Sequence, residues 1–169
     1  MRVFTFCVLL FLGFFSVVTH ATETPQGPVI LTVSDTIHTK PSKQGVTFDM
    51  AMLNRLPQRF VTTRTPWTKE VHTYQGFSAV DLFAYIKSEG TRLKVTALNQ
   101  YMTDIPLTDF VEHGAIFATH MDGNLISIRN LGPIMMIYPF DDKETLKSEE
   151  YYGRSIWQIS RIESMVLME

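Results

Sequence analysis

Residues 134–138 read Ile-Met-Met-Ile-Tyr, an unbroken apolar run closed by Gly132-Pro133 on one side and Pro139 on the other. Proline at both borders stops any regular element from running through, and five residues are too few for a stable helix. The run therefore suits a short strand covered on both faces, which demands apolar layers above and below it. Just ahead of it, Arg129, Asn130 and Gly132 place a cation, an amide and bare backbone at the entrance of a buried element. Loops of that composition bind small polar ligands; the plainer reading of Arg129 is an exposed charge at a strand end.

The first twenty-one residues carry Arg2, an apolar stretch over residues 3–18, and small residues at Thr19 and Ala21. This is the pattern of a secretory signal peptide cleaved after Ala21, with an uncleaved anchor as the alternative. Residues 22–169 then form a mature chain of 148 residues, the size of one domain with a substantial core. With 14 basic against 17 acidic residues its net charge is −3, and no basic stripe marks a nucleic-acid or anionic-membrane partner. The one cysteine, Cys7, lies in the leader, so the mature chain has no disulfide and no thiolate to offer a metal or a substrate.

Along the chain, residues 22–28 read as a disordered lead-in, residues 29–33 as a first strand, and residues 47–53 as a helix of at most two turns stopped ahead of Pro57. Residues 59–64 and 71–74 read as strands joined by the loop Thr65-Pro66-Trp67-Thr68-Lys69-Glu70, with a turn at Gln75-Gly76. Ser78 and Asp81 have capping-box spacing, and Ala79, Leu82, Phe83 and Ile86 repeat at helical intervals, which predicts an amphipathic helix over 78–88 ended by Gly90. Strands are expected at 93–98 and 101–105 about a tight Asn99-Gln100 turn, and a one-turn helix from Pro106 to near Gly114. A hairpin about Asp122-Gly123-Asn124 is expected to join strands at 115–121 and 125–129. Residues 141–150 hold seven charged residues in ten and read as a solvated excursion, and residues 155–168 as a closing strand. Many short strands with two or three short helices make an α+β domain, with an all-β fold carrying helices as its near neighbour.

The strong catalytic signatures are missing: there is no Gly-x-Ser-x-Gly elbow, phosphate loop, His-Glu-x-x-His pair or Cys-x-x-Cys. His38, His72, His113 and His120 are scattered rather than spaced as metal ligands. Aromatic and amide residues are more informative. Trp67 sits in a loop beside Arg64, Lys69 and Glu70, where its ring either presents a platform to a planar ligand or closes over the core edge. Asn99, Tyr101 and Asp104 could read the donor and acceptor edge of a heterocycle, although Asn99 also suits a simple Asx turn. Arg129 beside Gly132 could clamp an anionic or carbonyl group.

Four pieces in fixed order carry a resemblance: Thr63-Arg64-Thr65-Pro66-Trp67-Thr68; Tyr74-Gln75-Gly76-Phe77; Ala97-Leu98-Asn99-Gln100-Tyr101 with Ile105-Pro106; and Arg129-Asn130-Leu131-Gly132-Pro133-Ile134 through Tyr138-Pro139 with Trp157-Gln158. Over residues 28–163 the chain resembles the small secreted members of the oxidoreductase molybdopterin-binding family. The resemblance implies an α+β fold of the sulfite-oxidase type, a mixed β-sheet core whose pocket accepts a pterin. In the catalytic relatives a cysteine in the loop after the strand matching residues 59–64 ligates molybdenum; this chain has Thr65-Pro66-Trp67 there. The departure implies a pterin as ligand rather than molybdopterin, with no molybdenum held through a protein thiolate. Small proteins of this type are similar to periplasmic pterin-binding regulators that report ligand occupancy to a membrane-bound protein making or degrading cyclic di-GMP. Carried onto this chain, the pterin site comprises Arg64, Trp67, Asn99, Tyr101, Arg129, Asn130 and Gly132. The alternatives are a molybdopterin-dependent oxidoreductase and an accessory subunit of a periplasmic redox complex.

Overall fold

The computed structural model describes residues 23–35 and 45–166. The expected signal peptide, His38, most of the polar loop before Gly45 and the last residues of the expected closing strand lie outside them. Among the described residues the order is β1 (Leu31–Asp35), β2 (Val46–Phe48), α1 (Met50–Arg55), β3 (Gln58–Thr63), β4 (His72–Phe77), α2 (Ala79–Ile86), β5 (Arg92–Ala97), β6 (Met102–Pro106), α3 (Thr108–Glu112), β7 (Ile116–Met121), β8 (Asn124–Leu125), β9 (Met135–Ile137), α4 (Glu149–Arg154) and β10 (Ile159–Met165). One sheet runs β2-β1-β10-β5-β6, antiparallel except where β1 lies parallel to β10. The other runs β3-β4-β7-β8, with β9 also paired to β7, and is antiparallel throughout. One mixed and one antiparallel sheet with short helices make this an α+β fold.

Residues 134–138 are fully buried and divide by parity between two cores. Ile134, Met136 and Tyr138 join the large cluster, which includes Leu31, Leu53, Phe77, Leu82, Phe117 and Ile162. Met135 and Ile137 face a smaller cluster of Val61, Tyr74, Ile116, Ala118 and Ile126, against which Met121, Leu131 and Trp157 pack. The run is therefore apolar at every position because both of its faces meet protein.

Several elements depart from the sequence expectation for identifiable reasons. The helix predicted over 78–88 is present as α2, and Ser78 Oγ accepts from the Val80 amide at 3.2 Å. Asp81, however, leaves the capping box for Arg59, which donates to it at 2.8 and 3.1 Å. The helix ends at a left-handed Lys87 rather than at Gly90. Gln75 and Gly76 do not turn the chain; they lie inside β4, where the pairing with β7 shifts register. Gly76 is there for contact, because a Cβ would run into the Phe117 carbonyl.

The lead-in is tied down rather than disordered. The Gln26 and Gly27 amides donate to Asp49 Oδ2 at 2.8 and 2.9 Å, while Oδ1 of the same carboxylate caps α1 through Met52 N at 2.8 Å. Those three amides hold the Asp49 carboxyl below its ordinary pKa. The strand expected at 125–129 stops at Leu125 and gives way to a 3₁₀ turn, Ile128–Asn130. The charged stretch 141–150 is solvated as expected, its charged residues all exposed, but it is anchored: Leu146 is fully buried, Asp141 pairs with Arg64 and Glu144 with Lys147, and α4 begins at Glu149. That helix raises the count among the described residues to four, against the two or three expected.

Candidate functional site

A pocket of about 290 Å³ opens where the β5–β6 turn, the loop after β3 and the segment after α4 meet. That volume is at the small end of the range in which proteins hold organic ligands. Its lining comprises Trp67, Ala97, Asn99, Tyr101, Tyr152, Gly153, Ser155, Ile156 and Trp157, with no charged side chain among them.

Each wall has a local cause. The loop bearing Trp67 is folded on itself by threonines: Thr68 Oγ1 lies 3.0 Å from both the Thr65 amide and Thr65 Oγ1, and the Thr68 amide donates to the Thr65 carbonyl at 3.1 Å. The Trp67 amide donates to Thr65 Oγ1 at 3.3 Å. This knot holds the Trp67 ring edge-on to Trp157, centroids 5.4 Å apart at 82°, and leaves it 39% exposed. Such T-shaped pairs place the positive edge of one ring on the negative face of the other. Trp157 in turn packs on the smaller core. One side of Trp67 thus braces Trp157 and the remainder borders the pocket.

The β5–β6 turn supplies the second wall. Gln100 takes positive φ and its amide donates to the Ala97 carbonyl at 3.0 Å, while Asn99 Oδ1 accepts from the Tyr101 amide at 3.0 Å. The Asx turn thus occupies the oxygen of Asn99, which also lines the pocket. Tyr101 stands exposed, its hydroxyl 3.5 Å from the Gly153 carbonyl, at the limit of a hydrogen bond.

The third wall, residues 152–157, is anchored from behind. Arg154 donates through Nη1 to both oxygens of buried Asp109, at 3.1 and 3.3 Å, and lies 5.5 Å from the centre of the Tyr151 ring. Tyr138 donates to Asp109 Oδ2 at 2.6 Å. Burial and then Asp109 push the Tyr138 phenol far above its ordinary pKa, and burial raises that of Tyr151. Tyr151 Oη and His113 Nε2 are 3.0 Å apart, and among the described residues His113 Nδ1 is buried without a hydrogen-bond partner.

Of the seven residues named from sequence, the pocket gathers Trp67, Asn99 and Tyr101. The other four lie outside its lining. Arg64 is turned to Asp141, 3.5 Å from its carboxylate, and its amide donates to the same carboxylate at 2.9 Å. Arg129 and Asn130 are exposed on the 3₁₀ turn. Gly132 has a packing reason, because a Cβ would meet the Ile126 carbonyl. Sequence reasoning missed Tyr152, Gly153, Ser155 and Ile156, which follow the charged stretch and carry no motif; Trp157 was visible only as part of the resemblance.

Chemically, the site stacks and donates. The Ser155 hydroxyl donates to the Tyr151 carbonyl at 2.7 Å. Among the described residues no three His, Cys, Asp or Glu side chains converge on a point, and none of these residues is a cysteine. A thiolate-held molybdenum therefore does not fit the described residues, whose pocket offers aromatic walls and an amide.

No family model matches the chain, and no curated protein does. Among solved structures, the sulfane dehydrogenase SoxCD from Paracoccus pantotrophus superposes with a TM-score of 0.57 at 13% identity, over 80% of this chain and 37% of that one. This chain thus spans little more than a third of that protein's length. The likeness is one of fold, and it makes the α+β core one of the sulfite-oxidase type.

Proposed function

We propose that the chain is a pterin-binding protein without catalytic activity of its own. The observation that carries the reading is the pairing of Trp67 and Trp157 at an uncharged pocket with the Asn99 amide on its wall, in a fold of the sulfite-oxidase type. A pterin presents a flat face for the indoles and a row of heteroatoms for the amide, and stacking of this kind contributes about 1–3 kcal/mol per ring. The ring is held by dispersion and by Asn99 rather than by ion pairing, since Arg64 is engaged by Asp141 and Arg129 lies outside the pocket.

In the fuller form of the proposal the protein works in the periplasm and reports occupancy to a membrane-bound protein that makes or degrades cyclic di-GMP. That step rests on the motif resemblance. A second reading, an accessory subunit or oxidoreductase of a redox complex, draws on the likeness to a sulfane dehydrogenase. One preparation separates the two. The protein is purified from its host, denatured, and assayed for released pterin by fluorescence and for molybdenum by elemental analysis. Pterin without molybdenum supports the binding protein, molybdenum supports the redox reading, and no pterin together with no affinity for added pterins rejects the first.

A further inference from the structure

Gln158 is the residue at which the pocket and a surface turn meet. Its amide donates to the Leu131 carbonyl at 3.0 Å, its carbonyl accepts from the Leu98 amide at 2.9 Å, and its side-chain Nε2 donates to the Ile128 carbonyl at 2.9 Å. Leu98 immediately precedes Asn99 of the pocket, and Trp157 immediately precedes Gln158. Both Gln158 and Leu131 hold positive φ, 54° and 73°, a conformation that non-glycine residues keep only when their surroundings fix it. The Ile128–Asn130 turn beyond carries an Ile128 that is 57% exposed. It is closed by the Asn130 and Gly132 amides, which both donate to the Ser127 carbonyl, at 2.9 and 2.8 Å.

We infer that Gln158 is a positioning residue that couples occupancy of the pocket to the order of the Ile128–Asn130 turn. The inference deepens the proposed function, on which it rests, by naming the part of the surface that changes. A ring seated against Trp157 and Asn99 fixes the backbone on both sides of Gln158. The amide side chain then carries that restraint across to Ile128, while the main-chain bond to Leu131 holds the far end of the turn. Ligand and turn thereby share one set of restraints, so ordering one lowers the entropic cost of ordering the other.

Hydrogen exchange read by mass spectrometry on the full chain tests this, with a phosphate-free pterin as probe and tryptophan quenching as the measure of binding. In the wild type, saturating pterin slows exchange in the peptide covering residues 126–132. Gln158→Glu keeps the length of the side chain but removes the donor to Ile128, and Gln158→Gly accepts the positive φ without strain while deleting the reach. Both variants are expected to bind the pterin within about threefold of wild type, a difference of well under one decade in Kd, and to lose the ligand-induced protection of 126–132. Protection that persists in both variants overturns the coupling and leaves the pterin reading standing. Affinity that collapses in both overturns it as well, by making Gln158 part of the pocket's structure only. No quenching of the wild type by pterin rejects the proposed function itself, and the coupling with it.

Discussion

Replacing Arg154 by leucine tests how the third wall of the pocket is held. The guanidinium is the one cation paired with Asp109 among the described residues; the Asp109 side chain is 4% exposed against 18% for that of Arg154. After Arg154→Leu the carboxylate keeps the Tyr138 hydroxyl as its side-chain donor. Removing one partner of a buried pair costs about 3–5 kcal/mol, most of it the penalty on the charge left behind. The surviving Tyr138 bond and the partial solvation of Arg154 place this case near about 3 kcal/mol. For a chain of this length that lowers Tm by about 6–12 °C.

Asp109→Asn breaks the same pair but leaves Arg154 with Glu150 at 2.6 Å and with the Tyr151 ring, so the cation is not stranded. It is expected to cost about 1–2 kcal/mol, the scale of a hydrogen bond to a charged group. The double variant buries no lone charge and is expected to lie within about 2 kcal/mol of wild type, less destabilised than Arg154→Leu alone. Urea unfolding at constant m-value measures all three. Equal losses for the two single variants that simply add in the double would refute the reasoning, because they would mean that neither partner is stranded when the other is removed.

Three further perturbations have worked directions. Trp67→Ala is expected to weaken pterin affinity by tenfold or more, the ~1–3 kcal/mol of a lost stack, with a small change in urea midpoint. Met136→Ala, fully buried, is expected to cost about 2–5 kcal/mol and to leave affinity intact, so parallel losses in calorimetric titration and unfolding would contradict the pocket assignment. Gly76→Ala drives a methyl toward the Phe117 carbonyl and is expected to destabilise by at least ~1–3 kcal/mol, read as a lowered midpoint.

Asp49 gives the pH dependence. Its folded pKa is depressed by the Met52, Gly27 and Gln26 amides. Its stabilisation is therefore complete above the unfolded carboxyl value near about 4 and is lost as pH falls through the lower folded value. Asp49→Asn should be less stable than wild type at neutral pH, with the gap closing in acid; a gap that widens in acid would contradict that sign.

Periodicity alone made much of the scaffold legible. The proline-bounded run at 134–138 demanded cover on both faces and received it from two cores, and the 3.6-residue repeat at 79–86 gave α2. What failed was punctuation whose meaning depends on distant chain. Gly76 reads as a turn until Phe117 is seen pressing against it, and the prolines of the lead-in hide two amides destined for Asp49. The charged stretch stays solvated as its composition requires, yet Leu146 pins it to the core, and Asp141, Glu144 and Glu150 meet Arg64, Lys147 and Arg154. At the site, residue type identified Trp67, Asn99 and Tyr101, while the wall after α4 depends on the Asp109–Arg154 contact between residues 45 positions apart. Arg64 was persuasive beside Trp67 only because its partner, Asp141, lies 77 residues away.

Both tryptophans of the chain border the same pocket, so tryptophan emission, excited selectively over tyrosine, reports on that site. Titrating the purified protein with a phosphate-free pterin should quench this emission saturably, with part of the quench surviving in each of Trp67→Phe and Trp157→Phe and the affinity weakened in both. Emission that stays unchanged up to the solubility of the pterin would contradict a pterin site between these two rings, as would quenching at undiminished wild-type affinity in both variants.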